Sequence, residues 1–262
     1  MSHTKFNIKV RFLGGLSAAQ QAVFNSAAAR WQQIITADVP RVRIGGEVID
    51  DVVIEASGTP IDGTGGILGQ AGPTYLRPGT FIPAKGVMEF DTADLFRMES
   101  DGSLNNVIIH EMGHVLGIGT IWELKSLLQG AGTANPMFTG ENAMREFALL
   151  IGSPTPVPVP VENTGGEGTR DGHWRESVFG NELMTGFLNP GTDPLCGVTI
   201  ASLEDLGYKV NLDVADSFEL PSHLQLVLMG IGAGEHPHRC CMCGHRRRGT
   251  EPVVLPESAL IP

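Results

Sequence analysis

Phe6, Ile8, Val10 and Phe12 alternate with polar neighbours, the period of a strand with one buried face. Gly14-Gly15 breaks that pattern. Ser17-Ala-Ala-Gln20 then has the form of a capping box, and Leu16, Val23, Phe24, Ala27, Trp31, Ile34 and Ile35 recur at helical spacing as one apolar stripe. A helix here packs its stripe on the sheet and needs no ligand role. Val42 to Ile44 and Val52-Val53-Ile54 read as short strands, Asp62 to Gly72 as an irregular glycine-rich loop, and Lys85 to Asp91 as a further strand.

Residues 103 to 119 return to helical period. Val107, Ile108 and Ile109 supply a buried flank, Ser103 stands where a cap is needed, and Gly117 provides a left-handed stop. Beyond it, Ile121 to Leu128 predicts a short helix and Glu141 to Ile151 a longer one, and the prolines from Pro154 to Pro160 enforce extended chain. Gly165 to Gly172 is a flexible connection, and Ile200 to Leu206 suits a closing helix stopped by Gly207. The expected class is α+β: a twisted N-terminal sheet with a backing helix and a second helix against it, then an irregular, mainly helical C-terminal part. After Pro221 the character changes, with apolar Leu224 to Met229 followed by glycines and a Cys/His-rich run.

Composition narrows the functional classes. A 262-residue chain that is 42% hydrophobic, with 34 glycines and 17 prolines, suits many turns and long ordered loops rather than a helical bundle. A formal charge of −11 argues against a nucleic-acid binder, the one basic patch being Arg246 to Arg248. No apolar run is long enough to span a bilayer, and Met1 to Val10 lacks the apolar core of a signal peptide. The expectation is a soluble protein whose compartment and oligomeric state stay open. Of the four cysteines, Cys196 stands alone and Cys240, Cys241 and Cys243 crowd the end, which is no disulfide framework.

The chemistry lies in His110-Glu111-Met-Gly-His114. Histidines four apart leave one helix face a turn apart and can grip one metal ion, and Glu111 beside them can serve as general base to a metal-activated water. A three-ligand site needs another donor. The remaining histidines are His3, His173, His223, His236, His238 and His245, and a glutamate on the next helix, Glu141 or Glu146, would instead make a gluzincin-type peptidase. A third possibility is a module that keeps fold and zinc but is catalytically silent.

His173-Trp174, the turn Glu182-Leu183-Met184-Thr185-Gly186 and the run Ala201 to Tyr208, taken with the extended helix motif, resemble the leishmanolysin family of metzincins from about Phe6 to about Pro221. The resemblance implies a metzincin-like zinc endopeptidase. In it His110, His114 and His173 bind one Zn2+, Glu111 is the base, Met184 lies under the metal, and Gly117 turns the chain into a long insertion. Thr120 holds the position of the third ligand in ordinary metzincins. The tyrosine that some metzincins carry two residues past the methionine is replaced by Gly186.

The resemblance further implies an N-terminal half over 1–117, a C-terminal half over 118–221, and a tail over 222–262 that shows no family likeness. The strand through Val87, Met88, Glu89 and Phe90 would be the cleft edge, where a protein or peptide substrate adds as an extra strand. Asp91, Asp94, Glu99 and Asp101 are candidates for calcium, although their spacing matches no calcium loop and they read better as a solvated acidic stretch. The cluster His236 to His245 has enough soft ligands for a second zinc, yet fits no standard finger and reads as a disordered tail with reactive thiols. One such thiolate placed over the catalytic metal would silence the enzyme.

Overall fold

Strand β1 (Ile8–Gly14) leads into helix α1 (Ala18–Ile34), whose Ser17–Gln20 capping box forms as the sequence predicts. A small hairpin follows, β2 (Val42–Ile44) with β3 (Glu47–Ile49), and then β4 (Val52–Thr59), β5 (Gly69–Leu76) and β6 (Pro83–Asp91). Helices α2 (Thr92–Asp101) and α3 (Leu104–Val115) complete the N-terminal half. The C-terminal half holds a three-stranded sheet of β7 (Leu128–Gln129), β8 (Met137–Phe138) and β9 (Val159–Pro160). Its helices are α4 (Glu141–Ile151), α5 (Glu176–Phe179), α6 (Gly197–Leu206) and α7 (His223–Leu228), and β10 (Val253–Val254) comes last. This computed structural model describes residues 5–166, 168–187, 192–231 and 251–261. The architecture is mixed α+β, and no helix among the described residues is long and apolar enough to cross a membrane.

The main sheet runs β1-β4-β6-β5-β10, with β1, β4 and β6 parallel and β5 antiparallel to β6. Two expectations change here. The strand through Val87, Met88, Glu89 and Phe90 is β6, which pairs with β4 on one side and β5 on the other, so it is interior and not the cleft edge. Beyond it lies β5, bordered only by the short β10 at Tyr75 and Leu76, and its first residues, Gly69 to Gly72, fall inside what reads as a loop over Asp62 to Gly72. Gly69, Gly72 and Pro73 give it no hydrophobic alternation, and its register with β6 holds it instead. Pro73 fits an outer strand because it has no N–H to offer a neighbour.

Helices α1 and α3 pack on the inner face of this sheet around Phe24, Trp31, Met88, Phe90, Val107 and Ile108, all buried. Gly86 on β6 permits the close approach of α3, since a Cβ there would come within 2.5 Å of Val115 Cγ1. The Trp31 indole N–H donates to the Ile109 carbonyl at 3.0 Å, tying α1 to α3 one residue before His110. In the C-terminal half the core is aromatic: Trp174 stacks on Trp122 with centroids 4.8 Å apart and also meets Phe138 and Phe179.

Three further readings are corrected. Ile121 to Leu128 is a series of turns ending in β7, not a helix, although Lys125 N–H still reaches the Ile121 carbonyl at 3.1 Å. Ser103 has helical dihedrals and makes no cap; its N–H and hydroxyl both turn back to Asp101. The acidic stretch is not solvated where it starts, because Asp91 and Asp94 are fully buried. Asp91 caps α2 and accepts the N–H groups of Ile61, Asp62 and Gly63, while Asp94 accepts that of Gly65. Burial works against the Asp91 charge, but these donors outweigh it and hold its carboxyl below the usual carboxylate range. Glu99 accepts from Gln20, and Asp101 pairs with Arg97. These carboxylates anchor the 60–66 loop and helix α2.

The stretch from residue 222 onward is not one detached tail. Its last described residues return to the N-terminal half, where Val253 and Val254 pair with Tyr75 and Leu76 as β10. Leu255 and Ala259 are buried with Val42, Ile49, Val53 and Ala84 in a second small core. Ile261 N–H donates to the Arg41 carbonyl at 2.9 Å. The cluster His236 to His245, with its proposed second zinc and inhibitory thiolate, lies outside the described residues.

Candidate metal centre

Helix α3 ends in a Schellman turn: Gly117 N–H reaches the His114 carbonyl at 3.1 Å, Ile118 N–H reaches that of Gly113 at 3.0 Å, and Gly117 has φ of +113°. The turn throws the Ile118 carbonyl back under the helix, where it accepts from His114 Nδ1 at 2.8 Å. Thr120 caps the helix end, its hydroxyl donating to the His114 carbonyl at 2.8 Å.

His173 arrives on an extended segment laid between two others. Its carbonyl accepts from Glu162 N–H at 2.8 Å, and the next residue, Trp174, donates its N–H to the Met184 carbonyl at 3.0 Å. Docking of the Trp174 indole into the aromatic core fixes the height of this segment. Its approach to α3 is close: Gly119, with φ of +74°, lies so near Gly172 that a Cβ on it would sit 2.0 Å from the Gly172 oxygen.

The result brings His110, His114 and His173 together, the one group of three or more potential ligands found among the described residues. Their Nε2 atoms form a triangle with sides of 3.0, 3.1 and 3.2 Å. Each Nδ1 faces a backbone carbonyl: Leu183 at 2.6 Å for His110, Ile118 at 2.8 Å for His114, and Thr169 at 2.8 Å for His173. A carbonyl only accepts, so each Nδ1 carries its ring's proton, and a neutral imidazole has just one. Three bare Nε2 lone pairs therefore point at one another, an arrangement that a cation resolves. A tetrahedral zinc with bonds of about 2.0–2.1 Å spaces its nitrogens about 3.3 Å apart, close to this triangle, so the donor set fits that ion.

Protonation cannot resolve the arrangement. Burial pushes the imidazoles down, His110 to about 4 and His173 to about 3, and His114 falls well below its ordinary 6.5 through burial and then its two neighbouring rings. Glu111 is fully buried on α3 one residue past His110. Glu141 instead pairs with Arg145 at 2.6 Å, and the Glu146 carboxylate lies against Gly197 at the start of α6, so neither joins the triad.

Met184 is buried, and its sulfur would lie 3.0 Å from a Cβ placed on Gly113, so it packs on α3 between the two helix histidines. The turn that carries it rests on Glu182, whose supporting role the sequence pattern does not reveal. Its carboxylate accepts Met184 N–H at 2.6 Å, Cys196 N–H at 3.1 Å and the Thr199 hydroxyl, which in turn accepts from the Trp174 indole. The five-residue turn Glu182 to Gly186 is marked in the sequence only by the resemblance; the partners Cys196 and Thr199 are too far along the chain to be read from it.

Burial pushes Glu182 up to about 7 against the pull of these donors, from an ordinary value of 4.5. Glu182 therefore keeps a proton in the folded chain that it gives up in the unfolded one between those values, and its own contribution to stability slopes downward as pH rises from about 4.5 to about 7, by about 3 kcal/mol in all, against the opposite slope of the three depressed histidines. Glu182→Gln is expected to remove that slope. Urea midpoints at pH 5 and pH 8 for both proteins measure it, and an unchanged slope would refute the assignment.

A cleft of about 650 Å³ opens beside His114 and runs along Gly72, Thr74 and Tyr75 of β5 on one side, with Thr120 and Asp171 on the other. Backbone strain accompanies it at Asp171, which has φ of +65° and receives Gly132 N–H at 2.9 Å.

A family model for leishmanolysin matches residues 35–224. The chain is also similar to a leishmanolysin homolog of Crithidia fasciculata, with 28% identity over 151 residues. That match takes in 52% of this chain and 22% of the relative, so the chain spans about a fifth of that relative's length.

Proposed function

Because the chain belongs to the leishmanolysin family of zinc metallopeptidases, we propose that it is itself a zinc-dependent endopeptidase acting on extended segments of protein substrates. The observation that carries this reading is the convergence of three unprotonated Nε2 atoms within 3.0–3.2 Å, each ring locked from behind by a carbonyl. His110, His114 and His173 would hold the ion, with Met184 as the apolar floor. The halves over 1–117 and 118–221 would form a metzincin-like pair flanking the cleft.

Zinc bound there supplies Lewis acidity, which lowers the pKa of a coordinated water toward about 7 and polarises a carbonyl. The chain's own groups do the rest. Glu111 takes a proton from the attacking water as its oxygen bonds to the scissile carbon, then delivers that proton to the amine nitrogen as the carbon–nitrogen bond breaks. The imidazoles stay neutral throughout, as their burial requires. The outer strand β5 would align the substrate by backbone hydrogen bonds, which need no particular side chains and so suit varied sequences.

Removal of metal by a chelator is expected to stop casein hydrolysis, and stoichiometric zinc to restore it. His173→Ala should lose both zinc and activity, whereas Glu141→Ala and Glu146→Ala should keep both. Zinc content by elemental analysis beside the hydrolysis rate separates the cases. Zinc loss in a glutamate variant but not in His173→Ala would transfer the site to the gluzincin arrangement.

A further inference from the structure

We infer that the C-terminal strap, residues 251–261, sets how much of a substrate the cleft admits by closing one end of the edge on β5. This rests on the endopeptidase reading above. The outer side of β5 carries no paired strand from Gly69 to Thr74 among the described residues, and at Tyr75 and Leu76 the strap takes over as β10. Leu255 N–H continues the contact by donating to the Leu76 carbonyl at 2.9 Å.

The strap is a wall of the cleft as well as a neighbour of it. Glu251, Pro252 and Val253 line the same cavity as His114, Gly72 and Thr74. Its position is held from behind rather than by the pairing alone, since Leu255 and Ala259 are buried in the second core and Leu260 bridges to Val42. Among the described residues, an extended peptide laid on β5 therefore meets unpaired edge from Gly69 onward and then Pro252 and Val253. A substrate longer on that side must bend away or displace an anchored segment.

The chemistry of the wall fits a stop. Pro252 has no N–H with which to extend the sheet toward the metal, and the branched Val253 stands at the point where pairing begins. The substrate class that follows is short extended peptides, or chain ends, over the interior of long unfolded chains. The preference comes from the length of edge on offer, not from any side-chain pocket.

The test compares hydrolysis of unfolded casein with that of a blocked, quenched hexapeptide in the zinc-loaded 262-residue chain and in two variants. Deletion of residues 251–262 uncovers Tyr75 and Leu76. The double substitution Pro252→Gly and Val253→Gly trims the wall while leaving the Leu255 and Ala259 anchors in place, so it keeps the fold if the deletion does not. The casein-to-hexapeptide ratio of kcat/KM is expected to rise about tenfold in the deletion and about threefold in the double variant, the scale of one or two recovered backbone hydrogen bonds. A synthetic peptide of residues 251–261 added to the deletion variant should restore the preference. Wild-type cleavage of both substrates with the casein-to-hexapeptide ratio unmoved in either variant overturns the strap's role alone. Silence of the zinc-loaded wild type on both substrates overturns the endopeptidase reading, and the strap's role with it.

Discussion

Replacing Glu111 with alanine is expected to slow casein hydrolysis by roughly a thousandfold or more while zinc stays bound, the upper part of the range for loss of a general base. Zinc retention follows from how the ligands are anchored. The rings of His110, His114 and His173 are oriented by the carbonyls of Leu183, Ile118 and Thr169, and Glu111 takes no part in those bonds. Alanine also keeps helix α3 intact, being the residue most at ease in one. The measurement is the hydrolysis rate of both proteins at equal zinc content. Equal rates would remove Glu111 from the chemistry, and silence from both, with zinc bound, would favour the silent binding module.

The second large effect is expected at a residue that offers no ligand atom of its own, a glycine on the cleft wall. Gly119→Ala should weaken zinc binding by about 10–100-fold, the range seen when a group that orients ligands is disturbed. A Cβ at this position would lie 2.0 Å from the Gly172 oxygen, and that atom is backbone, so the 172–173 segment must move. His173 moves with it, and the Nε2 triangle opens. Gly152→Ala is the control: its φ of +68° carries a similar backbone cost, yet nothing lies within 4 Å of the added carbon. Zinc affinity measured against a chromogenic chelator should drop for the first variant and hold for the second. A loss common to both would show that only general stability was at stake.

Much of the site is legible in the sequence because its chemistry is local. His110 and His114 share a helix face, Gly117 ends that helix, and helix α4 spans Glu141 to Ile151 as its periodicity predicts. The apolar stripe of α1 is likewise buried, with Phe24, Ala27, Trp31 and Ile34 inside. What the pattern hides is structure held by backbone pairing or by distant partners. Strand β5 looks like a loop because glycines and a proline interrupt it, and β10 is too short to have a period. The resemblance puts the cleft edge at the strand before the metal helix, and with β5 hidden nothing in the pattern corrects it to the neighbouring strand. The brace at Glu182 depends on Cys196 and Thr199, and the Gly119–Gly172 approach joins residues 53 positions apart, so neither has a local signature. Ile121 to Leu128 misleads for the opposite reason: its apolar residues serve the aromatic core around Trp122 without forming a helix.

The triad draws two of its rings from one helix and the third from 59 residues beyond His114. An ion held there acts as a cross-link that closes a loop of that length, and its affinity contains the free energy of docking everything in between. Trp122 lies inside that loop and stacks on Trp174, the residue after His173, so an ion bound there would couple directly to the aromatic core. Zinc occupancy would in this sense be a gauge of whether the second half of the molecule has finished folding, and the proposed hydrolysis would wait for it.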